Sequence, residues 1–281
     1  MRTALLLPRI STNVRLAVSS LLVPELASAL AERLFLTPPR PAGYAASAVD
    51  FLDSKSEIFE HRRRSIATWE WGWRDVERPA VILAHGWGGY AAQMRGFVAP
   101  LLEAGYRVVA FDQPAHGVSE GRTTSLLDFA DVLAAVARRS GALQGIVAHS
   151  LGGAAAALAL SRGLAAKRAV LIGASLDVFA YSRMFARWYW IPEGVRRGME
   201  AAIEERFGMH WTDLHMAKLA PRLHAPALVI HDRNDRVVPL AQGEDFARHW
   251  PGARLLETRG LGHQRILRDE SVARAAAEFL R

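Results

Sequence analysis

Ser150 lies in the stretch QGIVAHSLGGAAAALAL, residues 144–160, where a short apolar run ends and an alanine-rich run begins. A serine at a direct turn from a strand into a helix projects its hydroxyl above the sheet. The N–H of the next residue, Leu151, then lies at the positive end of the helix. The letters AHSLG at 148–152 differ from the usual G-x-S-x-G of such turns only at the first position. Ser150 is therefore a candidate nucleophile; the alternative is the first residue of a buried helix.

A glycine-rich stretch earlier in the chain, LAHGWGGY at residues 83–90, follows another apolar run. An oxyanion is stabilised when two backbone N–H donors are fixed in space around it. The N–H groups of Trp87 and Leu151 are the pair that this pattern predicts. The alternative is a tight glycine turn that binds nothing.

The base that a serine nucleophile needs is best supplied by His263. Of the ten histidines, it lies in a glycine-flanked loop, LETRGLGHQRIL, between a short predicted strand and the last predicted helix. Its rivals are His149, beside the serine, and His85, in the glycine-rich stretch. We expect the geometry of the turn to point His149 away from Ser150.

An acid that orients the histidine is predicted in the stretch VIHDRNDRVVP, which follows an apolar run. Asp235 is favoured because it lies in the loop beyond the strand end, before an apolar pair and a proline. Asp232 is the second candidate, and Asp177 is a more distant one. Each of the three could instead be a turn-forming aspartate.

The elements that must hold these residues are visible as short, continuous apolar runs, which are typical of strands buried on both faces of a parallel sheet. An alternating segment at residues 56–73 predicts an antiparallel hairpin before them. The fold class is therefore α/β, with helices covering a mostly parallel sheet. The runs are PAVILAHG (79–86), YRVVAFD (106–112), QGIVAH (144–149), KRAVLIGAS (167–175) and PALVIHD (226–232).

Between the last two runs lies a mostly helical segment that is too long for a plain crossover connection. We interpret it as a cap inserted at the carboxyl ends of the strands, where ligands bind in such sheets. The predicted organisation is an N-terminal helical extension at 1–54, a core at 55–175 and 224–281, and a helical cap or lid at 176–223. Candidate substrate contacts are aromatic or close to the serine: Trp87, His149, Phe185, Trp188 and Trp190.

Leucines recur at every fourth position within residues 14–36, which predicts one amphipathic helix. The favoured interpretation is packing on the body of the same domain. The alternative is peripheral contact with a membrane surface, in which Arg2, Arg9 and Arg15 would meet lipid phosphates. The opening apolar run is too short for a signal-peptide core, so we expect a cytoplasmic protein. The oligomeric state stays open.

Composition limits the remaining chemistry. The chain has no cysteine, which excludes disulfides, thiolate metal sites and a cysteine nucleophile. The sequence contains no metal cluster, dinucleotide fingerprint or P-loop pattern, so we expect neither a metal nor a cofactor. The net charge of +7 comes mostly from scattered arginines, which favours a solvated basic surface over a nucleic-acid partner.

The order Ser150, Asp235, His263 along the chain is that of the α/β-hydrolases. The stretch FDQPAHGVSEG at 111–121 also resembles the D-x-x-x-H-G-x-S-x-G stretch common in that family. On these matches the sequence resembles a serine α/β-hydrolase, esterase-like or lipase-like, over residues 55–281. The resemblance implies the α/β-hydrolase fold, with helices on both faces of the sheet and a helical cap after the sixth strand.

The resemblance also implies roles and chemistry. Asp112, His116 and Ser119 would be structural, and the reaction would be acyl transfer through an acyl-enzyme. The leading expectation is a carboxylesterase that acts on a small-molecule ester of apolar acyl groups. A thioesterase, lipase, amidase, acyltransferase or perhydrolase would use the same residues, because the fold does not fix the acyl acceptor. A non-catalytic member that only binds a ligand is the alternative from another class.

Overall fold

The computed structural model describes residues 23–39 and 53–281, and within them eight strands form one sheet. The strands are β1 (Lys55–His61), β2 (Arg64–Trp71), β3 (Ala80–Ala84), β4 (Arg107–Phe111), β5 (Leu143–His149), β6 (Arg168–Ile172), β7 (Ala227–Asp232) and β8 (Arg254–Thr258). Their order is β1-β2-β4-β3-β5-β6-β7-β8. β2 pairs antiparallel with β1 and β4, and the other neighbours pair parallel, which confirms the predicted hairpin and mostly parallel sheet.

Helices connect the parallel strands, as the right-handed crossovers of such sheets require. The α-helices of the described residues are α1 (Pro24–Phe35), α2 (Val98–Glu103), α3 (Leu126–Arg139), α4 (Leu151–Ser161), α5 (Val178–Tyr189), α6 (Glu193–Phe207), α7 (Met216–Leu219), α8 (Leu240–His249), α9 (Gly262–Arg265) and α10 (Glu270–Leu280). Short 3₁₀ segments lie at Ala91–Phe97, Trp211–Leu214, Ala220–Arg222 and Ile266–Arg268.

The central strands are apolar throughout because both faces of the sheet are buried. In β3, Val81 and Leu83 belong to a core cluster that also contains residues of the 91–103 segment and of α10. The intervening Ile82 is fully buried as well and points to the other face, because side chains alternate along a strand. On that face α4 packs along β5 and β6 and against α3. A continuous apolar run is the pattern that such a position demands.

The parallel register brings several strand ends to one edge of the sheet. Ala84 at the end of β3 is level with Ala148 of β5, and Ile172 of β6 is level with His149. Asp232 at the end of β7 is level with Thr258 of β8. The loops that carry the candidate residues therefore leave the sheet along the same edge.

The chain forms two compact units. The helical unit contains residues 23–37 and Asp177–His215, and the sheet unit contains residues 38–39, 53–176 and Met216–Arg281. The predicted boundaries were 54/55, 175/176 and 223/224, so α1 differs in placement: it shares a unit with α5 and α6 rather than forming a separate extension. The physical reason is its apolar side, which is buried in the core of that unit through Ala27, Ala31 and Leu36.

The predicted helix at 14–36 is described only from residue 23, and the interval 40–52 also lies outside the described residues. Within the described part, α1 begins at Pro24, where the missing N–H of proline costs nothing. It packs against α6, where the Ser28 hydroxyl faces Gly198 and Glu32 pairs with Arg206 at 3.0 Å. This packing is internal to the helical unit.

Gly194 and Gly198 of α6 offer a matched test of this packing. A Cβ at Gly198 would lie 2.4 Å from Oγ of Ser28, whereas a Cβ at Gly194 would meet nothing within 4 Å. Alanine is favoured over glycine in a helix by up to about 1 kcal/mol. We expect Gly194→Ala to raise the free energy of unfolding and Gly198→Ala to lower it, as measured by chemical denaturation.

The variant that combines Gly198→Ala with Ser28→Ala removes the hydroxyl and should recover most of the loss. If Gly198→Ala were as stable as Gly194→Ala, the close approach of α1 to α6 would be wrong.

Candidate active site

Ser150 occupies a sharp turn between β5 and α4. Its backbone angles, φ 54° and ψ −123°, are of a kind that costs a non-glycine residue about 1–3 kcal/mol. The Ser150 N–H donates to the carbonyl of Ile172 in β6, and its carbonyl accepts from the N–H of Gly153, both at 2.9 Å. The strained turn is thus tied to the neighbouring strand and to the first turn of α4.

Small residues make room for this turn. A Cβ at Gly86 would lie 2.8 Å from Cβ of Ser150, and a Cβ at Gly152 would lie 2.5 Å from the carbonyl oxygen of His85. No side chain fits at either position. Ala148, where the usual pattern has glycine, is fully buried within the paired part of β5, so its methyl group is accommodated in the sheet.

Three of the predicted residues come together at the edge of the sheet. His263 Nδ1 lies 2.7 Å from Oδ2 of Asp235, and His263 Nε2 lies 3.1 Å from Oγ of Ser150. A carboxylate only accepts hydrogen bonds, so Nδ1 of His263 carries a proton and Nδ1–H donates a hydrogen bond to Asp235. Nε2 of the neutral ring is then free to accept the proton of the serine hydroxyl. Sequence reasoning predicted these three residues, and the structure places them within hydrogen-bond distance.

Asp235 is held in the orientation that serves the histidine. Its Oδ1 accepts from the N–H groups of Val237 at 2.8 Å and Val238 at 2.9 Å. Burial raises the pKa of the Asp235 carboxyl, but the hydrogen bonds from His263, Val238 and Val237 outweigh it, and the pKa lies below its usual value. The carboxylate is therefore ionised at neutral pH.

The two other candidate acids have different partners. Asp232 is fully buried and accepts from Asn234 N–H at 2.9 Å, Thr258 Oγ1–H at 2.8 Å and Leu261 N–H at 3.0 Å. It thus ties the loop after β7 to the loop that leads to the histidine. Asp177 caps α5 by accepting from the N–H of Ala180 at 2.8 Å. Asp235 is the one that contacts His263.

The glycine-rich loop after β3 is pinned on both sides of Trp87. His116 Nε2 accepts from the Gly88 N–H at 2.9 Å, and the Gly86 carbonyl accepts from the Gly89 N–H at 3.0 Å. The Trp87 ring stacks on Phe129, with centroids 6.2 Å apart. The hydrogen bonds fix the backbone of the loop, and the Trp87 indole packs against Phe129.

His85 is fully buried and bridges two backbone groups. Its Nδ1–H donates to the Gly86 carbonyl at 2.8 Å, and its Nε2 accepts from the Gln113 N–H at 3.0 Å. Burial lowers the pKa of His85 to about 4, so the ring is neutral at neutral pH. Both ring nitrogens are engaged, which leaves no free base at this position.

His149, the other rival, contacts His263. Its Nε2 lies 2.9 Å from the carbonyl oxygen of His263. The side chain is buried, so the structure gives it a contact with the candidate base rather than an open position.

The stretch at 111–121 forms a network that shapes the loops. Asp112 accepts from Ala91 N–H at 2.8 Å and from Val118 N–H at 3.0 Å. Ser119 Oγ–H donates to the Asp112 carbonyl at 2.7 Å. His116 holds the glycine-rich loop as described above. Each of the three makes contacts of the structural kind that the resemblance implies.

The predicted substrate contacts in the helical unit differ in exposure. Phe185 is 5% exposed and packs against Phe35 and Tyr189 in the core of that unit. Its ring is taken up by packing. Trp188 and Trp190 are 51% and 66% exposed, so their rings keep free surface.

Gly173, which sequence reasoning did not single out, borders the three residues. It follows β6 at φ +54°, and a Cβ there would lie 3.3 Å from His263 Nδ1 and 3.4 Å from Asp235 Oδ2. The available signal was a glycine directly after an apolar run. Position alone does not reveal which side chains pack over it.

The described residues contain neither a metal-binding cluster nor a membrane-spanning helix. Among those residues, no group of three or more histidine or acidic side chains is arranged to hold a metal ion. None of their helices combines the length and apolar character that a membrane span demands.

Comparisons with known proteins bear on the family. A family model described as alpha/beta hydrolase fold matches residues 79–207, and a model described as TAP-like protein matches residues 211–281. No curated protein matches the sequence.

Solved structures resemble the chain at low identity. An esterase from Pyrococcus furiosus is 21% identical with a TM-score of 0.63, covering 87% of this chain and 98% of that one. A bromoperoxidase from Bacillus anthracis is 17% identical with a TM-score of 0.60, covering 80% and 99%. The thioesterase domain from the curacin biosynthetic pathway is 17% identical with a TM-score of 0.58, covering 81% and 98%.

The sheet, the helices around it and these matches agree on one class. The chain has the α/β-hydrolase fold, as its sequence predicts.

The role of Asp232 can be tested through its pKa. Burial raises the pKa of Asp232, but hydrogen bonds from Gly262, Thr258, Leu261 and Asn234 lower it by more. The pKa of Asp232 therefore lies below the usual value of an aspartate. A depressed native pKa stabilises the fold above the unfolded-state pKa of about 3.9, and that contribution is lost as pH falls through the native pKa. We expect Asp232→Asn to cost about 1–3 kcal/mol at neutral pH.

Urea denaturation at neutral and acidic pH measures this difference, which should shrink as pH drops below about 4. Asp75→Asn is the control, because Asp75 forms an exposed ion pair with Arg78 and such changes stay within about 0.5 kcal/mol. A deficit that is equally large in acid would argue against the charged form as the stabilising one.

Proposed function

We propose that this chain is a serine hydrolase that cleaves a carboxylic ester of apolar acyl groups. The observation that carries the proposal is the hydrogen-bonded series that joins Asp235 to His263 and His263 to Ser150. This series supports the proposal because acyl transfer needs a nucleophile, a base and an orienting acid joined in this order. The strained backbone of Ser150 supports it further, since strain of this kind clusters at functional sites.

In the proposed reaction, Oγ of Ser150 attacks the ester carbonyl carbon while Nε2 of His263 takes the hydroxyl proton. The ionised Asp235 stabilises the imidazolium that forms and keeps Nδ1 as the donor. The imidazolium then gives its proton to the leaving alkoxide, and an acyl-enzyme remains. Water repeats the same steps, which releases the acid and restores Ser150.

The negative charge on the carbonyl oxygen needs donors fixed before the reaction. We assign the N–H groups of Leu151 and Trp87 to this role. Leu151 is the first residue of α4, where the helix dipole favours negative charge. Each donor of this kind is worth about 10²–10³ in turnover.

The acyl acceptor and leaving group are the finer part of the proposal. A thioesterase, acyltransferase or perhydrolase would use the same residues, and the similar structures include both an esterase and a thioesterase domain. Hydrolysis is our first choice over acyl transfer to a second substrate, because water is the acceptor that needs no second binding site. The choice of an ester over a thioester concerns the leaving group and is part of the proposal that the substrate panel tests. A non-catalytic ligand-binding protein is less well supported, because it would have no use for a strained serine bonded to a histidine.

The residues that contact the substrate, and a contact with a membrane surface, are further parts of the proposal. We propose Trp87, Trp188 and Trp190 as substrate contacts, in keeping with the apolar acyl group. A peripheral membrane contact through the N-terminal helix also stays a prediction, with the qualification that the Ala27 and Ala31 side of α1 is already buried.

Covalent labelling by a fluorophosphonate probe tests the nucleophile without knowledge of the substrate. We expect the wild-type chain to be labelled and Ser150→Ala to be unlabelled. Asp235→Asn should be labelled at least about 10³-fold more slowly, because the histidine loses the partner that fixes its tautomer.

Ser271→Ala is the matched control, because Ser271 is an exposed serine at the start of α10 and should not affect labelling. Peptide mapping identifies the labelled residue. If the folded wild-type chain is not labelled, or is labelled elsewhere than at Ser150, the proposed function is wrong.

A panel of esters and thioesters of graded acyl length, with Ser150→Ala as the blank, tests the substrate class. We expect hydrolysis of esters with a preference for apolar acyl chains. Turnover confined to thioesters would replace the ester assignment while leaving the nucleophile in place.

A further inference from the structure

His149 has no step in the proposed proton transfer, yet it makes two contacts with the residue that does. Its Nε2 lies 2.9 Å from the carbonyl oxygen of His263. Its ring lies against the His263 imidazole, with centroids 4.6 Å apart and planes inclined by 44°. One side chain therefore touches both the backbone and the ring of the base.

The protonation state of His149 follows from these contacts. A carbonyl oxygen only accepts hydrogen bonds, so Nε2 of His149 must carry a proton. Burial lowers the pKa of His149 to about 3, and the charge of nearby His263 lowers it as well. His149 is then neutral at neutral pH. It donates through Nε2–H and does not exchange protons with Ser150.

The segment that leads into α9, the short helix that carries His263, is held by few other contacts near the histidine. Gly260 and Gly262, which precede His263, have φ of +82° and +65°. Glycine has the greatest backbone freedom of all residues, so this segment does little by itself to fix the histidine. Asp232 holds the Leu261 N–H, and Asn234 Oδ1 holds the Gly260 N–H. Both anchors lie before the histidine, whereas the bond from His149 acts on the His263 peptide itself.

We propose that His149 is a positioning residue that keeps Nε2 of His263 within hydrogen-bond distance of Ser150 Oγ. This inference rests on the proposed function, since it needs His263 to act as the base. The neutral ring also suits the reaction, because it can face the imidazolium that forms during attack, whereas a second imidazolium would repel it.

A positioning role for His149 takes the place of the substrate contact that the sequence predicts for this residue. The side chain is 2% exposed, and its donor atom is already bonded to the protein. A substrate contact would act on KM, whereas displacement of the base acts on kcat. The two roles therefore give different kinetics.

Two variants separate the hydrogen bond from the ring contact. His149→Gln places an amide N–H near the position of Nε2 and removes the ring. His149→Phe keeps an aromatic ring and removes the donor. His224→Gln, at an exposed histidine of the same unit, is the matched control.

The first readout is the rate of fluorophosphonate labelling at Ser150, which reports the nucleophile with no substrate assumed. We expect His149→Phe to be labelled about tenfold more slowly than the wild-type chain, as the loss of one positioning hydrogen bond implies. His149→Gln should stay within about threefold. With an ester substrate, kcat of His149→Phe should fall by the same factor as its labelling rate, and KM should stay unchanged.

Melting temperatures distinguish positioning from a purely structural role. Restored labelling in His149→Gln, whatever its melting temperature, supports the positioning role. Wild-type labelling rates in His149→Phe overturn it, and so does a raised KM at unchanged kcat. If His149→Phe does not fold, His149→Asn takes its place, because its shorter amide does not reach the carbonyl. Absence of labelling in the folded wild-type chain would refute the proposed function, and the positioning role with it.

Discussion

A serine at φ 54° between a strand and a helix keeps that conformation only where the surrounding chain leaves it no other. Here the surroundings are backbone rather than side chains: Gly86 and Gly152 bring neighbouring segments so close that a single Cβ would collide. The bond from Ser150 N–H to Ile172 couples the turn to β6. The central strands must therefore be in register before the hydroxyl can point at any partner. The geometry on which the proposed function rests is in this sense a consequence of the sheet.

Asp232 and Asp235, three residues apart, have different hydrogen-bond partners and different roles, because neither carboxylate has enough oxygens for both sets of partners. Asp235 uses one oxygen for His263 and the other for two backbone N–H groups, so it orients the base and stays ionised. Asp232 uses both oxygens to join the loops after β7 and β8. Asp232 thus helps to hold together the segments that carry Asp235 and His263, while its own hydrogen bonds go to Asn234, Thr258 and Leu261. Its burial makes sense only with all those hydrogen bonds present.

The sequence predicted what local patterns determine. Apolar runs marked the buried strands, glycine marked the turns, and the order of Ser150, Asp235 and His263 matched a known family. What it did not predict depends on contacts between distant segments. Nothing near Asp232 shows that it binds Leu261, and nothing near Ala27 shows that α1 packs into the same unit as α6. The division into helical and sheet units follows from those contacts, which apolar runs and helical periodicity along the chain do not reveal.

Three histidines lie close to the proposed nucleophile, and two of them serve as neutral hydrogen-bonding groups rather than as the proposed base. His85 and His149 are buried, and burial lowers their pKa values to about 4 and about 3, so each serves as a neutral bridge between or onto backbone groups. A neutral imidazole can donate from one nitrogen and accept at the other, which lets it fix a loop without adding charge. A lysine or arginine at position 85 or 149 would repel the imidazolium that the proposed reaction forms at His263. With uncharged donors at both positions, Asp235 is the charged partner of His263, and in the proposed reaction His263 is the acceptor of the Ser150 proton.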